Sequence, residues 1–460
     1  MKALLYILPF GILFIPSFAT SDWTTVGMAS VSDYRFVTSL AEGSRFIYVG
    51  TTGGLVRYDK VDERFLFPYD YLDVAIGGII NSPVKELSVS DNRLKVETST
   101  GTYSFPVSLP FDSTSDDCPE SFPGYIPPPG YFFRPDGVLS DMHLHDYPVT
   151  ACLTDFIGNK FLGTWGKGLL RVKNGGNLLD LLPFGLASPV VDNICVSDDY
   201  TVFAGEGGIT VWEREKDIWD IFQAEDIPSL PTDRVEDVLI MGDTVFFATE
   251  FGLVTLDVRK GRFKTCRPAV ELTSLALVKD TLWAGTTDGI AVYSSDGVSL
   301  DILRRADFPR VNDVAYLDNT LWFATDYGVF TWNDKGFLRY TKDDGTLDAS
   351  VISAKASADT LFFLSRKGIV AVPSFIDKPS IFPGLFIFNG RRIRDFEPVG
   401  RFFFFATSSG VALYDRKSFE TRMLTTEEGL ISNDVRMITR EGKYLWFGTP
   451  KGASRFTLDW

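Results

Sequence analysis

Leu445-Trp446-Phe447-Gly448-Thr449-Pro450-Lys451-Gly452-Ala453-Ser454-Arg455-Phe456 reads as an apolar run, a Gly-Thr pair, a short turn, a glycine and a second apolar run. The same order returns at Leu321-Trp322-Phe323-Ala324-Thr325 with Gly328, and at Leu282-Trp283-Ala284-Gly285-Thr286 with Gly289. It returns again at Phe161-Leu162-Gly163-Thr164 with Gly168, and at Phe46-Ile47-Tyr48-Val49-Gly50-Thr51 with Gly54. Weaker copies centre on Gly101, Gly208, Gly252, Gly368 and Gly410. From Gly168 to Gly452 the closing glycines recur about every 41 residues, the spacing of a four-stranded propeller blade. The runs are short, β-branched or aromatic, and bounded by Gly, Asp and Asn, which favours strands over paired helices.

The predicted fold is therefore all-β: a β-propeller of about ten four-stranded blade repeats. In the last unit, residues 434–439, 444–448 and 453–456 supply three strands, and the fourth is missing. Trp23-Thr24-Thr25-Val26 precedes the first unit and is expected to supply that outer strand, closing the ring and hiding sheet edges. Ten units exceed the usual 4–8 blades, so two five-bladed rings are the alternative to one ring. Residues 106–140, rich in Pro, Ser and Gly, read as an irregular insertion. The closing glycine suits a turn with positive φ. The threonine hydroxyl can bond backbone near that turn. Trp283, Trp322 and Trp446 are expected to fill the space between neighbouring blades.

This repeat resembles the two-component regulator propeller family. Leu445 to Thr449, Gly163-Thr164-Trp165-Gly166-Lys167-Gly168-Leu169 and Val49-Gly50-Thr51-Thr52-Gly53-Gly54-Leu55 carry the resemblance, which covers nearly the whole chain after the leader. It implies an extracytoplasmic sensor-type propeller, a class in which many members bind glycans. No Ig-like linker, membrane helix, kinase or receiver follows the tenth unit, so the expectation is a stand-alone exported binder.

The chain has 460 residues and a formal net charge of −15. That acidity excludes a nucleic-acid binder, which needs a basic footprint, and disfavours anionic lipid. Hydrophobic residues make up 45% and charged residues 23%, enough to bury a large core. Residues 1–19 read as a secretory signal peptide: Lys2, an apolar run from Ala3 to Phe18, and Ser17-Phe18-Ala19 before the cut. No later stretch is long and apolar enough to span a membrane. The expected location is periplasmic or extracellular. Export permits disulfides among Cys118, Cys152, Cys195 and Cys266. Buried free thiols are the expectation for all four, since a chain this large needs no staple.

Both histidines lie in Asp141-Met142-His143-Leu144-His145-Asp146. On a strand, Asp141, His143 and His145 would share one face and could hold Zn²⁺. The plainer reading is a polar loop beside the insertion, and neither metal nor cofactor is expected. Catalytic signatures are absent: there is no G-x-S-x-G and no phosphate loop. Thr341-Lys342-Asp343-Asp344-Gly345 echoes part of a sialidase Asp-box without its tryptophan. Arg391-Arg392-Ile393-Arg394 is a short basic patch.

Binding is expected on one face or in the central channel. At the hairpin tips, Trp165, Phe251 and Tyr327 are aromatics where polar turn residues would suffice, and sugar rings stack on such side chains. Glu250, Asp326 and Arg366 could bond sugar hydroxyls. The reading is an exported non-catalytic module with a carbohydrate ligand. A protein-interaction scaffold is the first alternative, and a glycan-acting lyase or hydrolase the second.

Overall fold

The computed structural model describes residues 28–66, 81–107, 113–266, 270–297, 299–304, 308–333, 336–340, 347, 350–374, 380–383, 387–388 and 391–458. The signal-peptide reading, residues 23–26 and the Asp-box echo lie outside these residues. The architecture is all-β and consistent with a β-propeller: among the described residues there are ten four-stranded antiparallel sheets, with a three-stranded and a two-stranded sheet besides. We number the ten in chain order: I (37–65), II (84–114), III (149–182), IV (193–222), V (237–265), VI (272–304), VII (311–339), VIII (351–383), IX (395–424) and X (437–457). Sheet X is completed from the N-terminus. Met28–Val31 pairs antiparallel with Ala453 to Phe456. The outer strand is thus residues 28–31 and not the expected 23–26. It protects what would otherwise be an open edge.

The repeat motif has a local cause. Thr449 Oγ donates to the Gly452 carbonyl at 2.8 Å and accepts the Lys451 N–H at 3.1 Å. Thr51, Thr249, Thr325 and Thr407 make the same pair of bonds in their own turns. Each of these hydroxyls is fully buried, so the turn is closed from inside and its tip side chains are free for other uses.

Side chains at the start of each inner strand tie a sheet to its neighbour. Asn193 of sheet IV donates to the Val235 carbonyl at 2.9 Å, ahead of sheet V. Thr273 of VI donates to Val311 of VII at 2.6 Å, and Asn312 of VII to Val351 of VIII at 2.9 Å. The motif tryptophans run in the same direction. Trp283 of VI meets Trp332 of VII at 6.1 Å, and Trp322 of VII meets Phe363 of VIII at 5.7 Å. Trp446 of X meets Phe203 of IV at 5.4 Å, and the first strands of X and IV pack together.

Sheets I to III follow another order. Thr150 of III donates to Val37 of I at 2.7 Å, and Thr38 of I to Val84 of II at 2.8 Å. Sheet I therefore lies between III and II. This departs both from one succession of ten and from two groups of five. The cause lies in the insertion. Ser113–Thr114 folds back to pair with the first strand of sheet II. Ser115 Oγ accepts the Leu40 N–H at 2.9 Å, and Asp116 bridges Cys152 of sheet III. A Cys118–Cys152 disulfide fastens the same place. The expectation of four free thiols is corrected here: one pair is bonded, and Cys195 and Cys266 are free.

The two groups of sheets share a core. Phe65 stacks on Phe184 with centroids 4.6 Å apart, and Phe184 meets Trp219 edge-on at 5.2 Å. Trp219 and Trp446 are almost entirely buried within this cluster. No helix among the described residues is long and apolar enough to cross a membrane.

Candidate functional site

The six tip residues are exposed, as turns of this kind dictate. Trp165, Phe251 and Tyr327 are 45%, 47% and 70% exposed. Asp326 and Arg366 lie on neighbouring sheets and meet through Ser350. Asp326 Oδ1 accepts from Asn312 Nδ2 at 3.0 Å and from Ser350 Oγ at 3.3 Å, while the Ser350 carbonyl accepts the Arg366 backbone N–H at 3.2 Å. Tyr327 follows Asp326 on the same turn; its carbonyl accepts from Arg339 at 3.2 Å. Glu250 and Phe251 belong to sheet V, and no hydrogen bond or ring contact joins them to the others among the described residues. Trp165 belongs to sheet III. Its N–H reaches the Pro148 carbonyl at 2.9 Å, and its ring stands edge-on to Phe36 at 5.3 Å. In the basic patch, Arg394 is committed to Asp434 at 2.6 Å.

The inner strands carry a charged set that sequence reading missed. Asp237 Oδ2 of sheet V accepts the Leu275 N–H of sheet VI at 2.7 Å. Asp313 of VII accepts the Ala354 N–H of VIII at 2.8 Å, and Asp395 of IX accepts the Ile438 N–H of X at 2.9 Å. Each carboxylate thus fastens its inner strand to the next. Lys355 Nζ lies 3.6 Å from Asp395 Oδ1. Lys355 and Asp395 keep a little solvent contact and are otherwise surrounded by protein. Burial pushes Asp237 up to about 7, with the Asp313 charge adding to it and backbone N–H groups opposing. Burial likewise pushes Glu397 up to about 7, against the pull of Lys355. Burial alone would lower Lys355, but the surrounding carboxylates, Asp395 first, hold it above the usual lysine range. A recurring signal was present: Val235-Glu236-Asp237-Val238, Val311-Asn312-Asp313-Val314 and Ile393-Arg394-Asp395-Phe396 begin alternate units.

The histidine pair sits on a turn, as the polar-loop reading has it, and not on a strand that would line up Asp141, His143 and His145. The strand Leu139–Asp141 ends in a tight turn through Met142 to Leu144, with Leu144 at φ 67°. Asp141 Oδ1 accepts the N–H groups of His143 and His145 at 2.9 and 3.0 Å. Its Oδ2 accepts the Tyr147 hydroxyl at 2.9 Å and lies 3.0 Å from His145 Nδ1. Burial would raise the Asp141 carboxyl, but these bonds hold it down at about 2. The His145 ring, bonded to that carboxylate, is held above the usual imidazole range. Glu225 and Asp226, after sheet IV, face the two rings. His145 Nε2 is 3.6 Å from Glu225, and His143 Nδ1 is 3.6 Å from Asp226. Lys167, on the turn of Trp165, reaches the other Asp226 oxygen at 3.6 Å. Nothing in the local sequence of residues 141–146 announces partners some 80 positions away.

No family model matches the chain, and no curated protein matches it. The family resemblance therefore rests on the repeat residues alone. Among solved structures, the chain is similar to the extracellular domain of the BT4673 one-component system of B. thetaiotaomicron. Identity is 14% and the TM-score 0.49, over 92% of this chain and 65% of that one. A second solved structure of the BT4673 extracellular domain is spanned over 63% of its length. The chain is also similar to PorZ, a surface component of the type-IX secretion system of Porphyromonas gingivalis, at 14% identity and a TM-score of 0.49, over 93% and 69%. Virginiamycin B lyase of Staphylococcus aureus is matched at 15% identity and 0.48, over 59% and 96%. Identities this low, with scores below 0.5, assign the chain neither a family nor a ligand.

Proposed function

We propose that this chain is an exported, non-catalytic binding module in which sheets IV–X make a seven-bladed ring and sheets I–III an attached group. Its place is the periplasm or the cell exterior. Its ligand class is carbohydrate, met at the turn face. One observation carries the reading. Trp165, Phe251 and Tyr327 project from turns closed internally by a buried threonine, so the turns themselves have no need of aromatic side chains. Such rings in water offer stacking faces for sugars. Asp326 and Arg366, beside Tyr327, supply an acceptor and a donor for hydroxyls, and Glu250 does so beside Phe251.

The test is thermal unfolding of the purified chain against a panel of oligosaccharides. A ligand that binds only the folded state raises Tm with concentration. The expected result is such a shift, lost in W165A/F251A/Y327A. A shift that survives this triple replacement removes the turn face as the site. A well-folded chain that no sugar shifts removes the carbohydrate reading.

A protein ligand is the second reading. It is favoured by large apolar side chains left in water on and beside the insertion: Ile126, Met142, Leu144 and Leu178 are 52–74% exposed. Co-purification lost on I126S/L178S would support it.

A further inference from the structure

We infer that Asp141, His143, His145 and Asp226 form a binding site for one divalent transition-metal ion of the zinc class. One donor atom from each lies within 4.8 Å of the others. The donors of a tetrahedral ion at 2.0–2.1 Å stand about 3.3 Å apart. His145 Nδ1 and Asp141 Oδ2 are already 3.0 Å apart, and His143 Nδ1 and Asp226 Oδ1 3.6 Å. The second distance is too long for a hydrogen bond, and the pair attracts only when the imidazole is protonated. An ion seated between the two pairs would draw the atoms together by an ångström or so.

The surroundings have the form that metal ligands need. Asp141 is oriented before any ion arrives: two backbone N–H groups hold Oδ1, and the Tyr147 hydroxyl holds Oδ2. Glu225 faces His145 Nε2 at 3.6 Å; an ion on Nδ1 would displace the proton shared with Asp141 Oδ2 and leave the Nε2–H toward Glu225. Lys167 occupies the far oxygen of Asp226, leaving Oδ1 toward His143. Two imidazoles with two carboxylates select zinc-like ions over calcium and magnesium. His143 is about half-exposed, so the ion has a way in and water can complete its shell.

The turn is also shaped at the expense of its apolar residues. Met142 and Leu144 are 73% and 74% exposed, and Leu144 is left-handed. That backbone aims the only two imidazoles of the chain at Asp226. An ion here would clamp the 139–147 hairpin of the insertion to the 223–233 connection, and so fasten sheets I–III to sheet IV.

The test is Zn²⁺ titration of the tag-free full chain by calorimetry, with metal analysis after dialysis and thermal unfolding with and without EDTA. The expected result is one equivalent of zinc, a Tm that rises with zinc and falls back with EDTA, and no such rise with Ca²⁺ or Mg²⁺. H143A/H145A and D226N, altered on opposite sides of the site, should each lose the zinc response while unfolding near the wild-type Tm without metal. E225Q should weaken binding about 10-fold. Substoichiometric zinc, or one equivalent that persists in H143A/H145A, overturns the inference.

Discussion

Arg436 Nη1 lies 2.6 Å from Asp192 Oδ1 and joins the start of sheet X to the residue before sheet IV. The contact spans 244 positions of sequence. It is supported from outside by Glu441, which pairs with Arg214 of sheet IV and accepts the Trp446 indole N–H at 2.7 Å. Within the same junction, the Val191 N–H reaches the Thr449 carbonyl at 2.9 Å. If sheets IV–X close on themselves, Arg436 and Asp192 are the lock. A double-mutant cycle of R436A and D192A should then give a coupling of about 0.5–1.5 kcal/mol, as expected for a partly shielded pair. A coupling indistinguishable from zero would leave closure to the apolar contacts alone.

The last motif glycine meets the N-terminal strand. Gly452 sits at φ 135°, and a Cβ there would lie 2.1 Å from the Val31 carbonyl oxygen. Backbone cannot yield as a side-chain tip can. Gly452→Ala should therefore destabilise by more than about 2 kcal/mol and free residues 28–31 from their partner strand. Thermal unfolding gives the first quantity. Faster hydrogen exchange at Met28 to Val31 gives the second, and unchanged protection there would place the damage elsewhere.

How much of this was legible follows from which contacts are local. The Gly-Thr-turn-Gly signature encodes bonds three residues apart, such as Thr449 to Gly452, so the repeat and its strands could be read directly. Neighbour order was not legible, because it is set by single side chains such as Thr38 and Thr150 and by the fold-back of residues 113–116. The outer strand was placed five residues early, since Trp23-Thr24-Thr25-Val26 and Met28-Ala29-Ser30-Val31 have equal strand character. What distinguishes the second is the buried Ser30–Ser454 hydroxyl contact at 2.8 Å. At the candidate sites, exposure of the tips follows from turn geometry and was readable. The convergence of Glu225 and Asp226 on the histidines is tertiary and was not.

The Cys118–Cys152 disulfide closes a loop of 34 residues around the segment that redirects sheet III onto sheet I. Its removal should cost about 2–4 kcal/mol, measured as a fall in the denaturant midpoint of C118S/C152S. Because the bond anchors the insertion, limited proteolysis of the variant should cut first within residues 113–147. A first cut inside sheets V–IX would show that the bond does not hold this segment.

The inner-strand carboxylates predict a pH dependence whose sign can be worked out. Glu397 titrates at about 7 in the folded chain, against about 4.3 when unfolded. Between those values the folded state binds more protons, so stability falls as pH rises from about 4.5 to 7, and the loss persists above 7. Asp237, also pushed up to about 7, acts in the same direction. Glu397→Gln removes one of these contributions, and no hydrogen bond of Glu397 has to be replaced among the described residues. The decline of Tm between pH 5 and 7.5 should become shallower, leaving the variant about 1–3 °C above wild type at pH 7.5. Lys355→Met should act the opposite way. It withdraws the cation that Asp395, Glu397, Asp313 and Asp237 surround, and steepens the decline over the same interval. Parallel Tm–pH curves for wild type and both variants would mean that these groups titrate in water, and that the inner strands do not enclose them.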